Sequence, residues 1–152
     1  MTKDELREEI SIELEAIQQI VTELLELAKD VGDKGPNVRE KTAAGAFLAQ
    51  FYNGIENLLK RISKFYNLDI PSGENWHIEL FKRFCYPPKL PLPELFNNEL
   101  PALMAPYRRF RHVFFHGYGF QLEWEQMQGG IANISTIFNK LQANLNTFLE
   151  GL

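Results

Sequence analysis

The sequence predicts an all-α fold, an antiparallel bundle of four to five helices, and three observations predict it. Long stretches place apolar residues three and four apart, the period of a helix that buries one face. No stretch alternates apolar and polar residues between turn signals, as a half-buried strand would. Glycines and prolines gather in a few clusters that cut the chain into helix-length pieces. With 152 residues, the chain reads as a single domain spanning 1–152. That length buries most of its apolar surface without disulfides or metals.

The first element carries Leu6, Ile10, Leu14, Ile17, Val21, Leu24 and Ala28 at helical spacing, with acidic residues on its other face. The stretch VGDKGPN at 31–37 ends it, because Gly32, Gly35 and Pro36 break helices and form turns. A second long helix is expected from about Val38 to Tyr66, with Ala46, Phe47, Phe51, Ile55, Leu58, Ile62 and Phe65 as its apolar stripe. Ala43, Ala44, Gly45, Ala46 and Gly54 leave room for another backbone to come close. The short connection makes these two helices an antiparallel hairpin.

Residues 67–75 read as a loop, followed by a short helix from Trp76 to Phe84 with Trp76, Leu80, Phe81 and Phe84 inward. The run YPPKLPLPE then excludes a helix interior, since each proline removes a backbone donor and clashes with the preceding turn. A third long helix is expected from near Glu94, carrying Leu95, Leu100, Leu103, Tyr107, Phe110 and Phe114, with a kink or split near Pro106. HGYG at 116–119 reads as a helix end. The last helix takes roughly Leu122 to Leu149, with Met127, Ile131, Ile134, Ile137, Phe138, Leu141, Leu145 and Phe148 on one side.

Composition sets limits on function. The apolar fraction of 45% and charged fraction of 24% are those of a soluble globular protein. The lone Cys85 rules out an internal disulfide framework, suits a reducing compartment, and reads as a small packed thiol. The opening TKDELREE is acidic where a secretory leader is basic and then apolar. No apolar run approaches the roughly 20 residues that span a bilayer. The expectation is a cytoplasmic protein. Net charge is −4, yet the acid excess sits in the first thirty residues. Basic residues gather at Lys60, Arg61 and Lys64, at Lys82 and Arg83, and at Arg108, Arg109 and Arg111, so an acidic average can hide a basic groove.

One segment stands apart from the scaffold. PYRRFRHVFFHGYG, residues 106–119, holds three arginines, two of the three histidines and two tyrosines. Cutting RNA without a metal needs one group to take the ribose 2′-OH proton and one to protonate the leaving 5′-oxygen. A cation must also steady the phosphate. Histidine suits the proton work, with an ordinary pKa of about 6.5, and arginine offers the phosphate a permanently charged planar fork. Arg111 and His116 supply both types. On a continuous helix they stand about 140° apart; a helix that ended near Phe115 would let His116 swing toward the arginine.

Arg111-His112-Val113-Phe114-Phe115-His116-Gly117-Tyr118 resembles the R-x4-6-H motif of HEPN ribonucleases, in which the arginine is commonly followed by Asn, Asp or His. His116-Gly117-Tyr118 resembles the HepT-type toxin branch, whose toxin is paired with an MntA-like minimal nucleotidyltransferase antitoxin. The resemblance extends to the architecture, with two long antiparallel helices first and the motif late in a subsequent helix. It implies a metal-independent endoribonuclease without a cofactor, working as a homodimer and leaving 2′,3′-cyclic phosphate ends, with transfer RNA a family-level expectation. It implies that His116 is the general acid/base, that Arg111 holds the phosphate and that His112 helps position it. Tyr118 matches the tyrosine that receives AMP from the partner. The proline-rich 85–94 stretch and the acidic average depart from the family's usual pattern.

Other readings stand beside this one. Arg108 and Arg109 are either a basic rim for RNA or partners of the acidic first helix. His77, beside Trp76, reads as structural, and Glu56 reads as a solvated or helix-pairing carboxylate rather than one that orients the arginine. His112 and His116 have the spacing of an H-x3-H zinc pair, but only His77, Glu123 or Glu125 could complete it, and no CxxC or HExxH supports a metal. At the level of function, the alternatives are a catalytically silent HEPN-like module that binds a nucleotidyltransferase or nucleic acid, and a plain helical protein whose acidic first helix docks a basic partner.

Overall fold

Each of the two long N-terminal helices begins with a reciprocal cap. In the computed structural model, which describes residues 1–152 with Gly119 in its backbone alone, α1 spans Lys3–Val31. The Thr2 hydroxyl accepts the Glu5 N–H at 3.1 Å, and the Glu5 carboxylate accepts the Thr2 N–H at 2.8 Å. Helix α2 spans Val38–Phe65, and Asn37 and Glu40 repeat the arrangement. Such caps satisfy donors that the first turn of a helix leaves free. Between them lies a 3-10 turn at Gly32–Lys34, where Gly32 and Gly35 take φ of 58° and 78°, a region open to glycine at no steric cost.

The two helices run antiparallel. Glu9 and Glu13 meet Arg61, while Ile17, further along α1, lies against Gly54, earlier in α2. The apolar stripe of α1 is buried as its spacing predicts, from Leu6 through Leu24. Helix α2 differs from expectation. Ala46, Phe47 and Phe65 are only half-buried, while Ala44, Leu48, Tyr52 and Leu59 are fully buried alongside Phe51, Ile55, Leu58 and Ile62. The reason is position: α2 is packed by α1 and by three later helices, and a surrounded helix buries more than one stripe.

The short helix α3 spans Trp76–Lys82 and stops before Phe84. Helix α4 spans Leu100–His116, so it starts six residues later than the expected Glu94 (100 − 94 = 6). The physical cause is Asn98, which takes a left-handed φ of 53°, because a left-handed residue interrupts a right-handed helix. Ahead of it the N–H groups of Leu95 and Phe96 both donate to the carbonyl of Phe84, at 2.9 and 3.1 Å, and tie this stretch to the chain just past α3. Pro101 falls in the first turn of α4, where no N–H is needed. Pro106 lies inside α4 without splitting it. Helix α5 spans Trp124–Glu150, and Leu122, expected inside it, is instead a buried residue just ahead of it.

Helices α4 and α5 meet closely at Gly130. The buried Tyr107 hydroxyl donates to the Gly130 carbonyl, and the Phe110 ring stands where a Cβ on Gly130 would be, 2.7 Å away. The proline-rich strap is tied to α5 by Asn144, whose Nδ2 donates to the Leu95 carbonyl at 2.8 Å. Among the described residues there are five α-helices and no strand, and no helix is long and apolar enough to cross a membrane. The buried apolar side chains form one cluster drawn from all five helices.

The Ile17–Gly54 contact gives a direct test of this packing. A Cβ on Gly54 would stand 2.6 Å from Ile17 Cγ1, so Gly54→Val should cost about 1–3 kcal/mol of stability through overpacking. Combined with Ile17→Ala, which opens space, it should cost clearly less than the sum. A urea double-mutant cycle measures this, and additivity within about 0.5 kcal/mol would contradict the contact.

Candidate functional site

Along α2, Asn53, Glu56 and Lys60 are three and four residues apart and therefore share one face. Glu56 is only 2% exposed. A buried carboxylate is costly unless it is paired and hydrogen-bonded, and both of its oxygens are engaged. Oε1 lies 3.2 Å from Arg111 Nε of α4, and Oε2 contacts His77 Nδ1 of α3. Asn53 Oδ1 accepts the Arg111 Nε–H at 2.6 Å, and the guanidinium packs over the Phe115 ring at 5.2 Å. Glu56 is therefore neither solvated nor paired along its own helix, as the sequence had suggested. It joins three helices and orients the arginine.

On α4, Arg108, Arg111, His112 and His116 are separated by three, one and four residues, which places them along one broad side. They line a cleft of about 730 Å³ together with Arg109, Ala105 and residues 73–78 at the start of α3. That volume lies within the roughly 300–1,000 Å³ of ligand-binding clefts. All three histidines of the chain, His77, His112 and His116, face this one space. His112 and His116 stack with ring centroids 4.7 Å apart. The helix does not end at Phe115 to let His116 swing; it continues through His116. The two motif residues share the cleft for another reason: Arg111 is pulled inward by Asn53 and Glu56, while His116 sits one turn beyond His112 on the open side.

Burial and charge set the protonation of several groups. His77 has its pKa lowered, first by burial. The Glu56 carboxylate opposes this, and the charges of Arg111 and Lys60 add to it. A carboxylate can only accept, so Nδ1 of a neutral His77 carries the proton and Nε2 is left with a lone pair. Burial pushes the Tyr52 hydroxyl up to about 12, although Arg108, which donates to it at 3.5 Å, works the other way. Arg108 also lies over the Phe81 ring at 5.1 Å. Burial raises the Cys85 thiol too, and its Sγ lies 3.5 Å from the Phe81 carbonyl, which fits a packed thiol.

The structure thus brings together Arg111, His112, His116, Arg108 and Arg109 in one cleft. Among the described residues Arg108 and Arg109 make no ion pair with α1, whose Glu9 and Glu13 meet Arg61. Tyr118 lies outside the cleft lining, just past the end of α4. It is 65% exposed and stacked on Phe120 with centroids 5.4 Å apart, and its N–H is held by Gln121 Oε1 at 3.0 Å. Glu123 and Glu125 do not line the cleft, and among the described residues no three His, Cys, Asp or Glu side chains are grouped to hold a metal ion. Sequence reasoning misread Glu56 and missed its ties to Asn53's partner Arg111 and to His77. The usable signal was the i, i+3, i+7 polar series of Asn53, Glu56 and Lys60, set among Tyr52, Ile55, Leu58 and Leu59.

The fold is thus an all-helical bundle with three arginines and three histidines lining one cleft. A family model described as HepT-like protein matches residues 43–152, well over half of the chain. The chain belongs to the HepT-like family of the HEPN superfamily, a ribonuclease-type family of toxin modules. No curated protein and no solved structure matches it.

The lowered His77 pKa has a sign that can be checked. Its folded value lies below the ordinary 6.5, so the neutral ring stabilises the fold above about pH 6.5, and that contribution is lost as pH falls through the folded value. Urea midpoints measured at pH 7.5 and pH 5 should show a smaller acid loss in His77→Asn than in the parent. An equal loss in both would remove His77 as a source of acid sensitivity.

Proposed function

We propose that this protein is a metal-independent endoribonuclease toxin that cuts RNA by attack of the ribose 2′-OH. The observation that carries the reading is the placement of Arg111 and His116 on one basic cleft, in a member of a ribonuclease-type family. Arg111 is anchored through Nε to Asn53 and Glu56. Among the described residues its two Nη groups make no protein hydrogen bond, so they are available to a phosphate as a charged fork. His116 is the general acid/base. His112, stacked on it, positions substrate, and Arg108 and Arg109 form the phosphate-facing rim. In this reading the enzyme is a cytoplasmic homodimer with no membrane contact, and transfer RNA is its substrate class.

Control falls to a cognate MntA-like nucleotidyltransferase antitoxin that attaches AMP to Tyr118. The exposed tyrosine, two residues beyond His116, is accessible to a partner enzyme. An anionic nucleotide there would stand at the cleft mouth and repel the RNA phosphate by like charge.

RNA cleavage in the presence of chelator tests the reading. The parent should leave 2′,3′-cyclic phosphate ends, and His116→Ala should lose about 10²- to 10⁴-fold in rate with its helical circular dichroism intact. Equal cleavage by both would assign the activity elsewhere. No cleavage by a parent shown by mass spectrometry to be unmodified would favour a silent binding module. Tyr118→Phe should cut like the parent yet escape silencing by the partner; if it were silenced as well as the parent, the AMP-attachment role would be wrong.

A further inference from the structure

Transesterification of RNA moves two protons, one from the 2′-OH and one to the 5′-oxygen, and His116 accounts for only one at a time. His77 has the features of a second proton carrier. Its ring lines the same cleft as Arg111 and His116. Its Nδ1 is held by Glu56, itself 2% exposed and fixed on its other oxygen by Arg111. A carboxylate that fixes one ring nitrogen sets the tautomer and aims the other nitrogen, here Nε2, which makes no protein hydrogen bond among the described residues. His112 and His116 have no such carboxylate and are exposed.

Resting on the ribonuclease reading above, we propose that His77 is the general base of the cleft, positioned by Glu56, and that His116 serves as the general acid. Nε2 of His77 takes the 2′-OH proton as the 2′-oxygen bonds to phosphorus. The bond from phosphorus to the 5′-oxygen breaks, and that oxygen takes a proton from His116. The products are a 2′,3′-cyclic phosphate and a 5′-hydroxyl, and the two histidines return to their starting states by exchange with water. The charged groups facing His77 are Glu56 and Lys60 from α2 and Arg111 from α4. The two cations and burial keep the ring unprotonated near neutral pH, as a base must be, while Glu56 keeps it able to accept.

The test uses an RNA oligonucleotide and the same oligonucleotide with sulfur replacing the 5′-bridging oxygen, since a thiolate leaves without a proton. His77→Asn retains a donor near the Nδ1 position for Glu56 but has no counterpart of Nε2, so it separates a structural tie from a base. It should lose about 10²-fold or more on both substrates, and with it the acidic limb of kcat/KM against pH. His116→Ala should be slow on the oxygen substrate and largely restored on the sulfur one. Glu56→Gln, in the positioning role, should be partly active with its acidic limb moved to lower pH. If His77→Asn matches the parent in rate and pH profile while His116→Ala is inactive, His77 is not catalytic and the ribonuclease reading survives. Rescue of His77→Asn by sulfur would make it the acid and overturn the assignment. A parent inert on both substrates ends the ribonuclease reading and this inference together.

Discussion

The carboxylate of Glu56 is withdrawn from water in the middle of the most buried helix, so its charge must be met by groups from neighbouring elements. A buried, paired carboxylate is weak evidence for stability, because desolvation consumes much of the Coulombic gain, whereas removal of one partner is strongly destabilising. What the arrangement secures is geometry. The α3 partner is His77 and the α4 partner is Arg111, so the demand for pairing that stabilises the buried charge also fixes two cleft-lining side chains relative to each other. The cleft is organised from below, by a residue that does not face it.

Charge is segregated in the same way. Overall the chain carries −4, but much of α1's acid is exposed or paired with Arg61 on the side facing Glu9 and Glu13. The cleft instead collects Arg108, Arg109, Arg111 and three histidines. Surface charges separated by more than about 8–10 Å are largely screened at physiological salt, so a polyanion at the cleft would meet the field of its three arginines far more than that of the net charge.

The helices and the motif were legible because both are local. The three- and four-residue spacing in α1 and α5 is enough to fix which side is buried, and R-H-x3-H-x-Y is a contiguous string. The start of α4 was not legible. Leu95 and Leu100 look like one helical stripe, and nothing nearby says that Asn98 will turn left-handed while Leu95 and Phe96 are tied back to the Phe84 carbonyl. Glu56 was misread, and its contact with His77 went unseen, for the same reason. Twenty-one residues separate them, and the burial that gives their contact meaning comes from the packing of α3 and α4 onto α2. The polar series at Asn53, Glu56 and Lys60 was a weak local trace of that long-range fact.

Gly130 has a consequence for how the protein can vary. With no side chain there, Phe110 seats against α5 while Tyr107 grips the same residue's carbonyl, and together they fix the angle at which α4 is dialled about its own axis. Each residue of a helix advances it by 100° and 1.5 Å. An insertion between Phe110 and Arg111 would rotate the arginine away from Asn53 and carry the histidines off the cleft. The same insertion beside Leu90, which is 82% exposed in the proline-rich strap, would be absorbed before α4 begins. Length variation is therefore tolerable at the exposed bends of the strap and disruptive within α4, where the contact at Gly130 sets the helix's rotation.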